Sequence, residues 1–139
     1  MKKEIVANFP LNGLSFGNVS VNILREMWKR EMSVSLFPVG NGVDLATFDR
    51  LDPLFLQWID HSIKNRLEGL SSETPSLKLW HLNGSENRIT EKQHLFTFHE
   101  LNFATEVESS LAKLQNNIIF SSKFSKDLFD ANGCRNTHS

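Results

Sequence analysis

The fold is decided by residues 94–134, which read HLFTFHELNFATEVESSLAKLQNNIIFSSKFSKDLFDANGC. Leu95–Phe98 is a short apolar run typical of a buried strand, and after it apolar residues recur at helical spacing. Ile118–Phe120 predicts another strand, and Ser121-Ser122 can cap a second helix. The stretch therefore predicts a βαβα unit whose polar residues gather at the carboxyl ends of its strands.

The remainder of the chain repeats this alternation. Further strands are predicted at Ile5–Phe9, Val34–Phe37 and Leu77–Leu82, with helices beginning near Asn18 and Pro53. Strands that alternate with helices imply a mostly parallel sheet with right-handed crossovers. We predict one α/β domain over residues 1–139. It is a doubly wound, mostly parallel, five-stranded Rossmann-like sheet of strand order 3-2-1-4-5, with helices on both faces.

Composition narrows the functions that the chain could have. Apolar residues make up 40% and charged residues 22%, which indicates a globular core. Fifteen basic residues against sixteen acidic ones give a net charge of -1, so nucleic-acid binding has little electrostatic support. The single cysteine, Cys134, excludes an intrachain disulfide, which fits a reducing compartment or a chain that needs no disulfide. No apolar run approaches the length of a bilayer span, and MKKEIVANFP lacks a signal-like apolar core. We expect a soluble, cytoplasmic protein without a nucleic-acid partner or transmembrane segment.

The loop after the first strand is one candidate for ligand binding. It carries Gly13, Ser15 and Gly17, whose backbone N–H groups could face an anion at the start of a helix. Alternatively, the glycines serve only the tight geometry of a turn. In the predicted strand order the switch point falls between strands 1 and 4. The Gly13–Gly17 loop would then face the turn His99–Asn102 across one crevice.

That turn carries the candidates for chemistry. His99 stands at the carboxyl end of a strand and could accept or donate a proton near neutral pH, or be tied to a loop carbonyl. Glu100 could bind a hydroxyl or amine of a ligand, cap the segment Asn102–Thr105 or be solvated, and Asn102 is close by in the sequence. The histidines lack the spacing and cysteine partners of a zinc site, so no metal is expected.

Three stretches resemble the N-terminal domain of GT-B-type glycosyltransferases, especially the retaining group. Phe96–Glu100 resembles the family's fourth-strand segment, which often ends in a histidine or an acidic residue. Asn117–Cys134 resembles its fifth unit, an apolar strand followed by Ser-x-Phe, a short helix and a Gly-Cys or Gly-Val pair. Asn12–Ser20 resembles its glycine-containing loop. The resemblance covers most of the chain, although residues 39–91 match only in their pattern of elements.

The resemblance implies the acceptor side of an enzyme that transfers a sugar from a nucleotide-sugar to a hydroxyl acceptor. His99 and Glu100 would act in the reaction, while Gly13, Ser15, Gly17 and Asn102 would lie near substrate or diphosphate. The expected partners are the acceptor, the nucleotide-sugar and a C-terminal donor-domain chain, with no metal or other cofactor. The C-terminal donor-binding domain has no counterpart here, so the chain is expected to be incomplete as an enzyme. Two alternatives stay open: a non-catalytic binding or assembly module, and a small flavodoxin-like nucleotide binder.

Overall fold

The computed structural model describes residues 2–13, 15–46, 48, 50–99 and 103–139, with the backbone alone at Ser15 and Asn41. The elements in chain order are β1 Ile5–Leu11, α1 Ser15–Lys29, β2 Val34–Val43, α2 Pro53–Lys64, β3 Ser76–Leu79, β4 Gln93–Thr97, α3 Glu106–Lys113, β5 Asn117–Phe120, α4 Lys123–Ala131 and β6 Thr137–His138. Strands and helices alternate as predicted, and the connection between β3 and β4, all of it within the described residues, has no helix, as its polar sequence also indicates.

Within the described residues, the sheet has six strands in the order β2-β1-β3-β4-β5-β6, and every neighbouring pair is parallel. The predicted class, a mostly parallel α/β sheet of the Rossmann-like kind, is confirmed. The predicted order 3-2-1-4-5 is wrong, because β3 lies between β1 and β4 rather than beyond β2. The composition of β2 explains this: Pro38 lacks an N–H group and suits an edge strand. β6 adds a sixth strand at the opposite edge.

β2 is longer than the sequence predicts. It was expected to end before Pro38, but pairing with β1 continues to Val43, which lies opposite Leu11. The register shifts between Phe9 and Leu11, and Gly40 has a φ of +78°. This irregularity carries the strand past the proline. α1 likewise begins at Ser15, three residues before the expected cap at Asn18.

The helices cover both faces of the sheet. Successive residues of a strand point to opposite faces, and β4 shows the division: Leu95 packs in the cluster beside α3 and α4, whereas Phe96 packs against the cluster beside α1 and α2. The cap predicted from sequence at Ser122 is confirmed, Asp52 caps α2, and Thr105 forms a capping box with Glu108. None of the helices in the described ranges has the length and apolar character needed to span a membrane.

Candidate functional site

The switch point of the sheet lies between β1 and β3. The chain leaves β1 for β2 on one side and returns to β3 on the other, and open α/β sheets bind ligands beyond the carboxyl ends of the strands at such a point. The predicted crevice between strands 1 and 4 is therefore corrected, because β3 separates those two strands. Phe16, in the first turn of α1, instead contacts Trp80 and His81, which follow β3.

The loop after β1 packs tightly against the start of α1. A Cβ added at Gly17 would lie 1.9 Å from the carbonyl oxygen of Asn12 and 2.7 Å from its carbonyl carbon. Only glycine allows this approach of the helix to the loop. Gly13 is exposed in the loop, and Ser15 is the first residue of α1. N–H groups in the first turn of a helix lack partners within the helix, and here the carbonyl and side-chain oxygens of Asn12 lie close to that turn.

Four aromatic rings meet beside the switch point, and we call them the aromatic cluster: Phe16, Trp80, His81 and Phe98. The Phe16 ring centroid lies 4.7 Å from that of His81, 5.0 Å from that of Phe98 and 5.9 Å from that of Trp80. Phe16, Trp80 and Phe98 are half-buried, whereas His81 is exposed. The cluster therefore joins the first turn of α1 to the carboxyl ends of β3 and β4, with an imidazole at its surface.

A tight turn holds the indole of Trp80 in the cluster. Gly84 has a φ of +91°, and a Cβ there would lie 3.4 Å from the Trp80 Nε1 atom. A left-handed backbone strongly favours glycine. The turn that contains Gly84 therefore also packs against the site.

His99 lies on the other face of the sheet, between α3 and α4. Its Nε2 atom is 2.9 Å from the carbonyl oxygen of Phe103, and its Nδ1 atom is 3.6 Å from a carboxylate oxygen of Glu108. The ring makes an edge contact with Phe129 at 4.8 Å, and the hydroxyl of Ser125 donates to the His99 carbonyl oxygen at 2.7 Å. Only 7% of the side chain is exposed. Both ring nitrogens thus have neighbours within the domain.

The residues expected to form one site are divided between two places. Gly13, Ser15 and Gly17 stand together at the start of α1, whereas the ring of His99 points away from them, because Phe98 occupies the face nearer α1. Glu100 and Asn102 lie outside the described residues. The catalytic role of His99 and the anion-binding role of the glycine loop remain predictions.

His81 and Trp80 are the site residues that sequence reasoning missed. The third strand was expected to reach Leu82, which would place His81 inside the strand. It ends at Leu79, so both rings stand at the carboxyl edge beside the switch point. The Asn83-Gly84 turn that follows directly was the available signal that the strand ends early.

A buried lysine lies on β3 just before the cluster. Lys78 is 5% exposed, and its Nζ atom donates to the carbonyl oxygen of Asn87 at 2.9 Å. Burial lowers the pKa of Lys78, and the negative charge of Glu86 opposes that shift.

The described part of the chain has no group of three His, Cys, Asp or Glu side chains that could hold a metal ion.

Comparisons with protein families, with curated proteins and with solved structures find no match to this chain. The function must therefore be inferred from the site itself.

Proposed function

We propose that this chain is the acceptor-side domain of a GT-B-type, retaining glycosyltransferase, which transfers a sugar from a nucleotide-sugar to a hydroxyl acceptor. The observation that carries the proposal is the aromatic cluster at the switch point, beside the first turn of α1. Small-molecule sites are lined mainly by apolar and aromatic groups with a few placed polar ones. A sugar has both requirements, since its C–H faces are apolar and its hydroxyls are polar.

Each part of the crevice has a task in this reaction. The half-buried rings of Phe16, Trp80 and Phe98 would pack against the C–H face of the acceptor sugar. The exposed imidazole of His81 could exchange a proton with a hydroxyl at the crevice. The N–H groups at the start of α1 would stabilise the negative charge of the donor diphosphate. His99 would support the segment that follows β4, or act directly on the acceptor.

The proposed reaction requires a second domain that binds the nucleotide-sugar. In the resembling family the nucleotide-sugar binds mainly to a C-terminal domain that closes over the acceptor side. We therefore propose a donor-domain chain as partner, with no metal or other cofactor. The free, buried thiol of Cys134 accords with a reducing, cytoplasmic setting.

The test is a sugar-transfer assay with a complementing donor-domain chain and a panel of nucleotide-sugars. If His81 exchanges the proton, His81→Ala should lower turnover by about 10²- to 10⁴-fold, the usual range for a general acid or base. His61→Ala is the matched control, because His61 is also an exposed histidine but lies on α2. No turnover across the panel, or turnover insensitive to both His81→Ala and His99→Ala, would contradict the proposal.

The strand order favours a second candidate, the flavodoxin-like nucleotide binder. Five of the strands follow the order 2-1-3-4-5, in which ligands of flavodoxin-like proteins bind at the β1/β3 switch point. This reading predicts that the chain alone binds a nucleotide, whereas the acceptor-side reading predicts binding of sugar acceptors. Calorimetric titration with nucleotides and with oligosaccharides separates the two, since each reading requires heat from its own ligand.

Exposed apolar side chains favour a third hypothesis, that the chain is a binding or assembly module. Phe103, Val107 and Phe124 are 55%, 65% and 62% exposed, on or beside α3 and α4. Exposed apolar surface can mark a protein contact. Sedimentation of the chain tests this, because a monomer that stays monomeric at high concentration and captures no donor-domain chain would remove the module reading.

A further inference from the structure

We infer that a second site lies at the amino ends of the strands and binds a phosphoryl group of a small soluble molecule. A cavity of about 530 Å³ opens there, and we call it the amino-edge cavity. Its lining includes the three lysines Lys2, Lys3 and Lys92. This inference is independent of the proposed function, because the cavity lies at the ends of the strands opposite to the aromatic cluster.

The topology explains why these residues meet. Lys3 stands just before β1, Pro75 just before β3 and Lys92 just before β4, and these three strands are neighbours in the parallel sheet. Backbone hydrogen bonds fix the edge: Val6 N donates to the Pro75 carbonyl, and Ser76 N donates to the Lys92 carbonyl, each at 2.8 Å. The starts of these strands therefore lie side by side, and Lys3 and Lys92 line the same cavity.

The lysines have no anionic partner of their own. Lys3 is 7% exposed, and its backbone N–H donates to Gly69 O at 3.1 Å. Across the ranges that the structure describes, the side chains of Lys2, Lys3 and Lys92 form no ion pair and no hydrogen bond. Three ammonium groups that line one cavity repel one another, and an anion in the cavity would relieve that repulsion.

The remaining lining favours a phosphoryl group over a simple carboxylate. Lysine ammonium groups bind phosphate as point charges, and three of them suit a group that carries two charges. The hydroxyls of Ser71 and Thr74 add polar lining. One of the two carboxylates in the lining, that of Glu4, already accepts a hydrogen bond from Ser33 N at 2.9 Å. The volume lies in the range of small-molecule sites and exceeds what one phosphate fills.

The experiment measures the affinity of the whole chain for inorganic phosphate and for glycerol phosphate by calorimetry, against chloride at equal ionic strength. Lys3→Met keeps the apolar stem and removes the charge, so it should weaken the affinity for both phosphates about tenfold or more. Lys92→Met should also weaken the affinity for both phosphates, and because Lys92 is exposed this substitution leaves the core intact. Glu73→Gln should strengthen binding, because it removes a negative charge from the lining.

Lys64→Met is the matched control, since Lys64 is an exposed lysine of α2 paired with Asp60. It should leave the affinity unchanged. The inference is overturned if phosphate gives no more heat than chloride, if Lys64→Met weakens binding as much as Lys3→Met, or if Glu73→Gln has no effect. Binding to phosphatidic acid vesicles without binding to free phosphate would overturn it as well, because the ligand would then be a membrane surface.

Discussion

Replacing Gly17 by alanine tests the contact that shapes the crevice. The new Cβ would lie 1.9 Å from the carbonyl oxygen of Asn12, so helix and loop must separate by about 1 Å or more. Overpacking of this kind costs about 3 kcal/mol at the upper end of its usual range, because backbone atoms rather than a flexible side chain must move. Alanine gains about 1 kcal/mol over glycine within a helix. We therefore expect a net loss of about 2 kcal/mol.

The measurement is urea unfolding followed by tryptophan fluorescence, with a thermal melt in parallel. A loss of about 2 kcal/mol corresponds to roughly 6–8 °C in Tm for a domain of this size. Gly42→Ala is the matched control, because a Cβ at Gly42 meets nothing within 4 Å and should change stability by less than about 0.5 kcal/mol. If Gly17→Ala unfolds at the same urea concentration as the parent or a higher one, the reasoning about this contact is refuted.

Three further predictions concern groups on the other face of the sheet. His99→Ala should lower the free energy of unfolding by about 1–3 kcal/mol, since the ring contacts the Phe103 carbonyl and Phe129; unchanged stability in urea would contradict this. Burial lowers the pKa of Lys78 in the folded state, so the unfolded chain binds its proton more tightly. The stability of the parent relative to Lys78→Met should therefore rise with pH between that lowered pKa and 10.5, and a pH series that shows no rise there refutes it. Burial also raises the pKa of the Cys134 thiol, so it should react with a disulfide reagent at least roughly tenfold slower in the folded chain than in urea; equal rates would show that the thiol is open to solvent.

Local features of the fold followed from sequence because their causes are local. The cap predicted at Ser122 is confirmed, and it depends on residues within one helical turn, as do the capping box at Thr105 and the left-handed Gly133 after α4. Strand order depends on pairing between distant segments, and no residue pattern in Leu77–Leu82 indicates which neighbour that strand takes. Because the predicted strand order was wrong, the switch point was predicted between strands 1 and 4, whereas the structure has it between β1 and β3.

In the candidate site, a difference of one residue along a strand decides which face of the sheet a side chain occupies. Phe98 and His99 are neighbours in sequence, yet they point to opposite faces of the sheet, and this decided which of them meets α1. The end of β3 had the same effect, because three fewer residues of strand placed Trp80 and His81 at the crevice. A sequence pattern gives apolar and polar positions, but face and strand end are fixed by register against the neighbouring strands.

The irregular course of β2 has a consequence for how the protein behaves among other copies of itself. Its outer side is a sheet edge, and such an edge can template the addition of a strand from another molecule. Pro38 offers no N–H to an incoming strand, and Gly40, with a φ of +78°, turns the backbone out of a regular ladder. Pro38 and Gly40, which made β2 look shorter in the sequence than it is, should therefore disfavour aggregation by strand addition at this edge.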